Sequence, residues 1–225
     1  MAAPRKFTEA QLHEAALAIV DREGLPALTM RRLAEALGTG AMTLYNYVEG
    51  RDGLEALLVG AVMAEMVPPA MTGDDWSADV CAIATAMWHA VRRHPNVIPL
   101  ILNRRADDVA TLQAVEGLLE ALAQSGRTGF ELLAAFRLVS SFVTGFALSE
   151  VTGLLARTPG GTAPELQARL AALTQGRLAR LAEIAAVGVP GNPEREFRAG
   201  LDIVIAGLKA SNGSERRATK ARPRG

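Results

Sequence analysis

The chain has 225 residues, of which 49% are apolar, 21% charged and only 4% aromatic. Its 24 basic and 24 acidic residues cancel, which excludes a polycation that coats nucleic acid or anionic lipid, so any contact with DNA must come from a local arrangement of charge. A single cysteine, Cys81, excludes an intrachain disulfide bond and a cysteine-rich zinc site.

The N-terminal segment predicts an amphipathic helix. Thr8 and Gln11 have the spacing of a capping box, and Gly24 stands where the helix should end. The apolar face of this helix consists of Leu12, Ala16, Ile19 and Val20. Because no apolar signal core precedes it, we expect a cytoplasmic protein.

Two short helices joined by a tight turn are predicted next. Thr29 is placed to cap the first of them, and Gly38 is placed to end it in a left-handed conformation. The second helix opens after Gly40 and runs through Val48. Packing of the two leaves one face of the second helix exposed, and a helix of this size fits the major groove of DNA.

The rest of the chain also has helical patterns. Further helices are predicted over residues 52–67, 76–93, 97–103, 108–124, 130–156, 165–186 and 194–208. From Ser211 onward the sequence is polar and basic without apolar periodicity, and we expect disorder there. No segment has a convincing strand pattern, so the predicted fold class is all-α.

One stretch carries a specific pattern. Residues 28–54 read LTMRRLAEALGTGAMTLYNYVEGRDGL. The pair Leu28-Thr29, the A-x-x-L-G of residues 34–38 and the T-L-Y of residues 43–45 stand in the order seen in one family of DNA-binding domains. The stretch resembles the helix-turn-helix domain of the TetR (tetracycline repressor) family. The resemblance is specific over the first quarter of the chain, and beyond it extends only to helix pattern and length.

The resemblance implies a role for each matching position. It implies phosphate contacts for Thr29, Thr43, Tyr47 and Arg51. It implies a guanine contact for Arg31, because a guanidinium group matches the two acceptors of that base. It implies that bases are read or fitted by Ala41, Met42, Tyr45 and Asn46. For the two tyrosines, partial burial against the fourth helix is the alternative.

The predicted helix over residues 130–156 is apolar nearly all round, although Arg137 argues against a membrane span over residues 132–148. Such a helix must be covered on every side, and we expect a partner subunit to supply one wall. Small residues that permit close approach are Ala134, Ser141, Gly145 and Ser149. A face of the last helix, Phe197, Leu201, Ile205 and Leu208, is predicted to complete a four-helix dimer interface.

Methionine and aromatic side chains suit an irregular apolar cavity. The candidates for lining a ligand pocket are Met63, Met66, Trp88, Phe142 and Phe146, with plain core as the alternative for each. The resemblance implies that a ligand bound near Trp88 shifts the fourth helix and so changes the separation of two DNA-binding heads.

These observations predict a helix-turn-helix DNA-binding domain over residues 1–52, a helical ligand-binding and dimerisation domain over 53–210, and a disordered basic tail over 211–225. The predicted function is a ligand-responsive transcriptional regulator, a homodimeric repressor released from a palindromic operator by a small apolar or amphipathic molecule. Catalytic residues, metal ligands, a cofactor and a membrane partner are not predicted. The alternatives are a small-molecule carrier or enzyme built on the helical domain, and a DNA-binding protein without ligand control.

Overall fold

A computed structural model describes residues 6–67, 70–103, 108–152, 163–174, 177–188 and 191–220 of the chain. These described residues form eleven α-helices and two single 3₁₀ turns, Leu25–Ala27 and Pro95–Val97, and contain no strand. The helices are α1 Glu9–Glu23, α2 Met30–Ala36, α3 Ala41–Leu44, α4 Gly50–Ala64, α5 Trp76–Arg93, α6 Ile98–Asn103, α7 Val109–Ala123, α8 Gly129–Thr152, α9 Ala163–Thr174, α10 Ala179–Gly188 and α11 Pro193–Lys220. The predicted all-α class is confirmed.

The first helix begins and ends where its capping residues predict. The Thr8 hydroxyl accepts the Gln11 N–H at 3.3 Å, and the Gln11 side chain accepts the Thr8 N–H at 2.9 Å. Both groups of the capping box are therefore satisfied. At the other end, Gly24 adopts a φ of +82°, which an L side chain rarely takes.

The turn between α2 and α3 follows from Gly38, whose φ is +62°. The Gly38 N–H donates to the carbonyl of Glu35 at 3.2 Å and the Thr39 N–H to that of Ala34 at 2.9 Å, the pattern of a Schellman cap. The third helix is shorter than predicted. After Leu44 the N–H groups of Tyr47 and Val48 both donate to the Leu44 carbonyl at 2.9 Å, which tightens the end into a turn.

Helix α4 packs against α1 on one side and against α5 and α7 on the other. Its close approach to the start of α7 depends on Gly60, since a Cβ added there would lie 3.1 Å from the Asp108 carboxyl carbon. Helix α4 therefore packs both against the helices before it, which we call the head (α1–α3), and against the helices that follow it. The buried residues of α4 and of the three helices before it include Ile19, Val20, Leu33, Leu44, Leu54 and Leu58.

The chain divides into two compact units, residues 1–144 and 145–225. The predicted domain boundary after residue 52 stays a prediction. In the second unit, the single helix predicted over residues 165–186 is wrong, because α9 and α10 are separate helices that pack against each other. The sequence between them contains Gly176, and a glycine inside a helix costs about 1 kcal/mol relative to alanine.

The disordered tail predicted from Ser211 is also wrong for residues 211–220, because α11 continues to Lys220. Residues 221–225 lie outside the described residues. The sequence of residues 211–220 has no apolar periodicity, and a lack of periodicity does not exclude a helix. Once a helix has formed, each further residue adds a backbone hydrogen bond without a new nucleation cost.

Helix α11 buries one face within its own chain. The buried side chains are Phe197, Leu201, Ile205 and Leu208. The prediction that this face meets a partner subunit is therefore wrong, because the largest apolar residues of the helix pack into the core of the chain itself. A different strip of small or apolar residues stays exposed on α11, namely Ala199, Ile203, Ala206 and Ala210.

Helix α8 is covered on one side only. Its buried residues are Ala135, Val139, Val143 and Ala147. Its exposed residues include Leu133, Ala134, Leu138, Ser141, Gly145 and Ser149, so the small residues singled out in the sequence all lie on the uncovered side. Among the described residues α8 is one helix with the length and apolar composition of a membrane span, which is weak evidence by itself. Arg137 is exposed within it.

Candidate DNA-binding surface and ligand cavity

The residues predicted to contact DNA belong to α2, α3, the start of α4 and the turns beside them, which together we call the DNA-binding surface. Leu44 and Val48 are buried and fix α3 against the head. The opposite side of α3 is open to solvent, with 79% of Met42 and 52% of Tyr45 exposed. Thr29, Arg31, Asn46 and Arg51 are also exposed, while Ala41, Thr43 and Tyr47 are half-buried.

Two of the arginines on this surface are held only loosely. The Arg31 Nε lies 3.2 Å from Glu35 Oε1, and the Arg51 Nε lies 2.9 Å from Glu55 Oε1, each one helical turn away. Exposed pairs at this spacing contribute about 0.3–0.5 kcal/mol. Arg31 and Arg51 can therefore leave these carboxylates and bind a phosphate or the edge of a guanine at a low cost in free energy.

Arg32 has a different role, although it lies beside Arg31 in the sequence. Its guanidinium binds the Glu23 carboxylate in two contacts, Nη2 to Oε1 at 2.7 Å and Nε to Oε2 at 3.2 Å. This hydrogen-bonded pair holds the pKa of Glu23 below its ordinary value. Arg32 thus ties α2 to the end of α1 and sets the angle at which the DNA-binding surface is presented.

Thr29 and Tyr47 are also engaged in the fold. The Thr29 hydroxyl oxygen accepts the Arg32 N–H at 3.1 Å, which caps α2. The Tyr47 hydroxyl accepts the Phe7 N–H at 3.1 Å, and the two rings pack edge to face with centroids 6.1 Å apart. Tyr47 therefore fixes the entry of α1 against the end of α3, a contact that the sequence pattern alone did not predict.

A cavity of about 320 Å³ lies between the end of α4, α5 and α7. The residues that line it are Met63, Ala64, Met66, Met71, Ile83, Ala110, Gln113, Ala114 and Gly117. Apart from the Gln113 amide, the lining side chains among the described residues are apolar, and three of them are methionines, which adapt to ligands of irregular shape. Such a site suits an apolar molecule with one group that hydrogen-bonds to Gln113.

Met63 and Met66 are thus the predicted pocket residues that the structure brings together. Trp88 does not line this cavity: it is fully buried, with the Arg92 guanidinium 4.4 Å from its ring centroid. Phe146 packs edge to face against Phe197, and Phe142 is half-buried elsewhere. The lining residues that sequence reasoning missed include Gln113 and Gly117, which lie on α7 far from α4 in the chain and carry no motif.

Met71 belongs to the segment between α4 and α5, and Asp79 holds this segment in place. The buried Asp79 carboxylate accepts the backbone N–H groups of Thr72 at 3.0 Å and Gly73 at 3.1 Å, together with the Thr72 hydroxyl at 3.2 Å. The Thr72 backbone bond, with the other two, lowers the pKa of Asp79 below its ordinary value. No group of three or more potential metal ligands occurs among the described residues.

Comparisons with known proteins agree with this geometry. Residues 68–212 match the family described as "Tetracyclin repressor-like, C-terminal domain". The HTH-type transcriptional repressor DrrR1 of Streptomyces coeruleorubidus is 36% identical over 139 residues, which is 61% of this chain and about half, 52%, of that protein. An HTH-type transcriptional regulator of Saccharopolyspora erythraea is 29% identical over 209 residues, covering 93% of this chain and 87% of that protein.

Solved structures are similar as well. The TetR family protein ActR of Streptomyces coelicolor, in complex with actinorhodin, superposes with a TM-score of 0.75 at 30% identity, over 94% of this chain and 100% of that one. The same protein without ligand gives a TM-score of 0.74 at 29% identity, over 95% of this chain and 100% of that one.

Proposed function

The chain belongs to the tetracycline repressor-like family of transcriptional regulators, and from that premise we propose that it is a dimeric repressor which a small apolar molecule releases from an operator. One observation carries the proposal. Helix α4 begins at the DNA-binding surface, from here on also called the recognition surface, with Arg51 in its first turn. The far end of α4 supplies Met63 to the cavity and leads into Met66. A ligand in the cavity therefore contacts the helix that positions the DNA-binding surface.

The operator is the first partner. We propose that α3 enters the major groove with Met42, Tyr45 and Asn46 towards the bases, while Arg51 and Thr29 hold phosphates. This arrangement is supported by the exposure of these side chains on one surface. The work of such a protein takes place where the DNA is, and we propose a cytoplasmic location.

A second copy of the chain is the next partner. The uncovered strip of α8 combines Ala134, Ser141, Gly145 and Ser149, whose small side chains allow two helices to approach closely. We propose that this strip packs against the same strip of a second copy. A two-fold dimer presents two recognition surfaces and so requires an inverted-repeat operator. A sedimentation mass of one chain at micromolar concentration contradicts this part of the proposal.

The third partner is the ligand. Its proposed chemistry is that of a largely apolar, uncharged molecule that bears one hydrogen-bonding group, because Gln113 is the one polar side chain that the structure describes in the lining. Two findings support a repressor with an effector of this kind. The DrrR1 relative is a transcriptional repressor, and the ActR neighbour was solved with actinorhodin bound.

The test uses 1-aminoanthracene, a neutral planar fluorophore with one amine, as a probe. An operator is first selected from randomised DNA, and its affinity is then measured by fluorescence anisotropy while the probe is added. We expect the wild type to bind the probe and to lose operator affinity. Gly117→Leu, which places a side chain in the cavity, should weaken probe binding. Gly117→Ala is the matched control, because nothing lies within 4 Å of a Cβ at this position.

Three outcomes contradict parts of the proposal separately. Specific operator binding that the probe leaves unchanged, although the probe occupies the cavity, indicates a DNA-binding protein without control from this site. Probe binding without any selected operator indicates a carrier. Probe binding that Gly117→Leu and Gly117→Ala leave equally strong places the ligand outside this cavity.

A further inference from the structure

Three elements of the chain meet at a buried histidine that the DNA-binding surface and the cavity do not use. His94 directly follows α5, and 9% of its side chain is exposed. Its Nδ1 lies 2.9 Å from Oδ2 and 3.1 Å from Oδ1 of Asp21, which is in the last turns of α1. Its Nε2 lies 3.1 Å from Oε2 of Glu65, the residue that ends α4.

The neighbours of His94 reinforce both connections. Arg93 binds Glu65 twice through Nη2, at 3.1 Å to the carboxylate and at 3.4 Å to the backbone carbonyl. The Asn96 side chain donates to the carbonyl of Val20 on α1 at 3.0 Å. Arg93, His94 and Asn96, three residues within four positions, therefore hold the end of α1 and the end of α4 at the same place.

The contact between His94 and Glu65 is incomplete. The atoms are close enough for an ion pair, yet their direction does not make a hydrogen bond, so Nε2 is buried without a hydrogen-bond partner. A buried polar atom without a partner carries a cost in free energy, because it has lost its hydrogen bonds to water. A small movement of Glu65 decides whether this cost is relieved or increased, which makes the contact sensitive to the position of the end of α4.

The same end of α4 borders the cavity. Glu65 stands between Met63 and Met66, both of which line the cavity, and the last turn closes through the hydrogen bond from the Met66 N–H to the Met63 carbonyl at 3.0 Å. A molecule that pushes against these methionines acts on the same turn of backbone that carries Glu65. The contacts then continue from Glu65 to His94 and from His94 to Asp21 in the head.

We propose that His94 is a positioning residue that transmits the state of the cavity to the DNA-binding head through Glu65 and Asp21. The proposal rests on the proposed function, since it presumes that cavity and operator are coupled. The alternative is that His94 fills a polar gap in the core and adds only to stability. The transmitting role and the purely stabilising role predict different values for one quantity, the factor by which a change in the cavity alters operator affinity. Removal of His94 lowers this factor if His94 transmits, and leaves it unchanged if His94 only adds stability.

The experiment is a mutant cycle that needs no natural ligand. Gly117→Leu fills the cavity permanently, with Gly117→Ala as its control, and operator affinity is measured for each in the wild-type and His94→Gln backgrounds. Asp21→Asn and Glu65→Gln open the same connection while keeping side-chain shape, so the test stands if His94→Gln folds poorly. Glu14→Gln, on the exposed side of α1, is the matched control for the head helix.

We expect Gly117→Leu to lower operator affinity about fivefold or more in the wild type, the lower end of common coupling factors, and less than about twofold once His94, Asp21 or Glu65 is changed. An equal loss in all backgrounds overturns the role of His94 while the proposed function stands. An operator affinity that Gly117→Leu leaves unchanged even in the wild type overturns the coupling itself, and with it both proposals.

Discussion

The recognition surface and the cavity differ in how their residues are held. The surface is formed by neighbours in sequence, residues 29–51, and its exposed side chains stand on a scaffold of fully buried leucines and tight caps. The cavity gathers side chains from residue 63 to residue 117, most of them small or flexible, around the Gln113 amide. A rigid, locally built surface suits a partner of fixed geometry such as DNA, whereas a plastic cavity from distant segments suits a ligand of variable shape.

The largest expected difference between the two regions is in stability. Leu44 is fully buried beneath the recognition surface, and Leu44→Ala should lower the free energy of unfolding by about 2–5 kcal/mol. Met71 lines the cavity with 39% of its surface exposed, and Met71→Ala should cost less than about 1 kcal/mol. Denaturant titration of both variants checks this, and equal losses would show that the cavity is as tightly packed as the head.

The next prediction separates the roles of two arginines on the recognition surface. If Arg31 reads guanine as proposed, Arg31→Ala should cost about 1–3 kcal/mol of operator binding and relax discrimination at one base pair per half-site. If Arg51 holds a phosphate as proposed, Arg51→Ala should weaken all sequences alike and flatten the salt dependence. Selection on randomised operators compares the two, and an unchanged specificity profile for Arg31→Ala means that another residue reads the base.

A smaller effect is expected at Met42, the most exposed apolar residue of α3. An apolar side chain in the major groove favours the methyl group of thymine. Replacement of the facing thymine by uracil should cost about 0.8 kcal/mol, the value of one buried methyl-sized group. The same replacement should cost the Met42→Ala variant nothing. If no thymine in the selected operator shows this dependence on Met42, the side chain does not read a methyl group.

The smallest effect concerns the segment that carries Met71. The pKa of Asp79 is lowered in the fold, so its contribution to stability is present above the ordinary aspartate value of 3.8 and is lost as the pH falls through the lower folded value. Unfolding measured against pH should show this acid loss in the wild type, and Asp79→Asn should lack it. Asp74→Asn, at the exposed C-terminal end of the same segment, is the control.

Sequence reasoning succeeded where function depends on local spacing. The capping pair Thr8 and Gln11 and the turn at Gly38 follow from interactions within a few residues, so the head could be predicted almost residue by residue. The cavity could not, because Gln113 and Gly117 acquire their role from the packing of α7 beside α4 and no spacing rule joins them. Trp88 is a similar case, since an aromatic side chain suits a ligand pocket but the packing of the helices buries this ring completely.

The apolar face of α11 is another case in which local periodicity was insufficient. Phe197 and Leu201 have the periodicity of a buried helical face, and that periodicity does not say which partner buries it. The pairing of Arg32 with Glu23 likewise removes a basic residue from the recognition surface through a contact across two helices. Both contacts join residues that are distant in the sequence, so the local pattern could not predict them, although it predicted the helices and the buried face of α11 correctly.

The central claim is that α4 couples the cavity to the recognition surface, and reciprocity tests it most directly. Coupling between two binding equilibria requires that operator DNA weaken ligand binding by the same factor by which the ligand weakens operator binding. The measurement is the affinity of 1-aminoanthracene for the protein, free and saturated with operator, by its fluorescence. We predict weaker probe binding on the operator, by a factor within about 5–150 that equals the loss of operator affinity caused by the probe. An equal probe affinity with and without operator would contradict it.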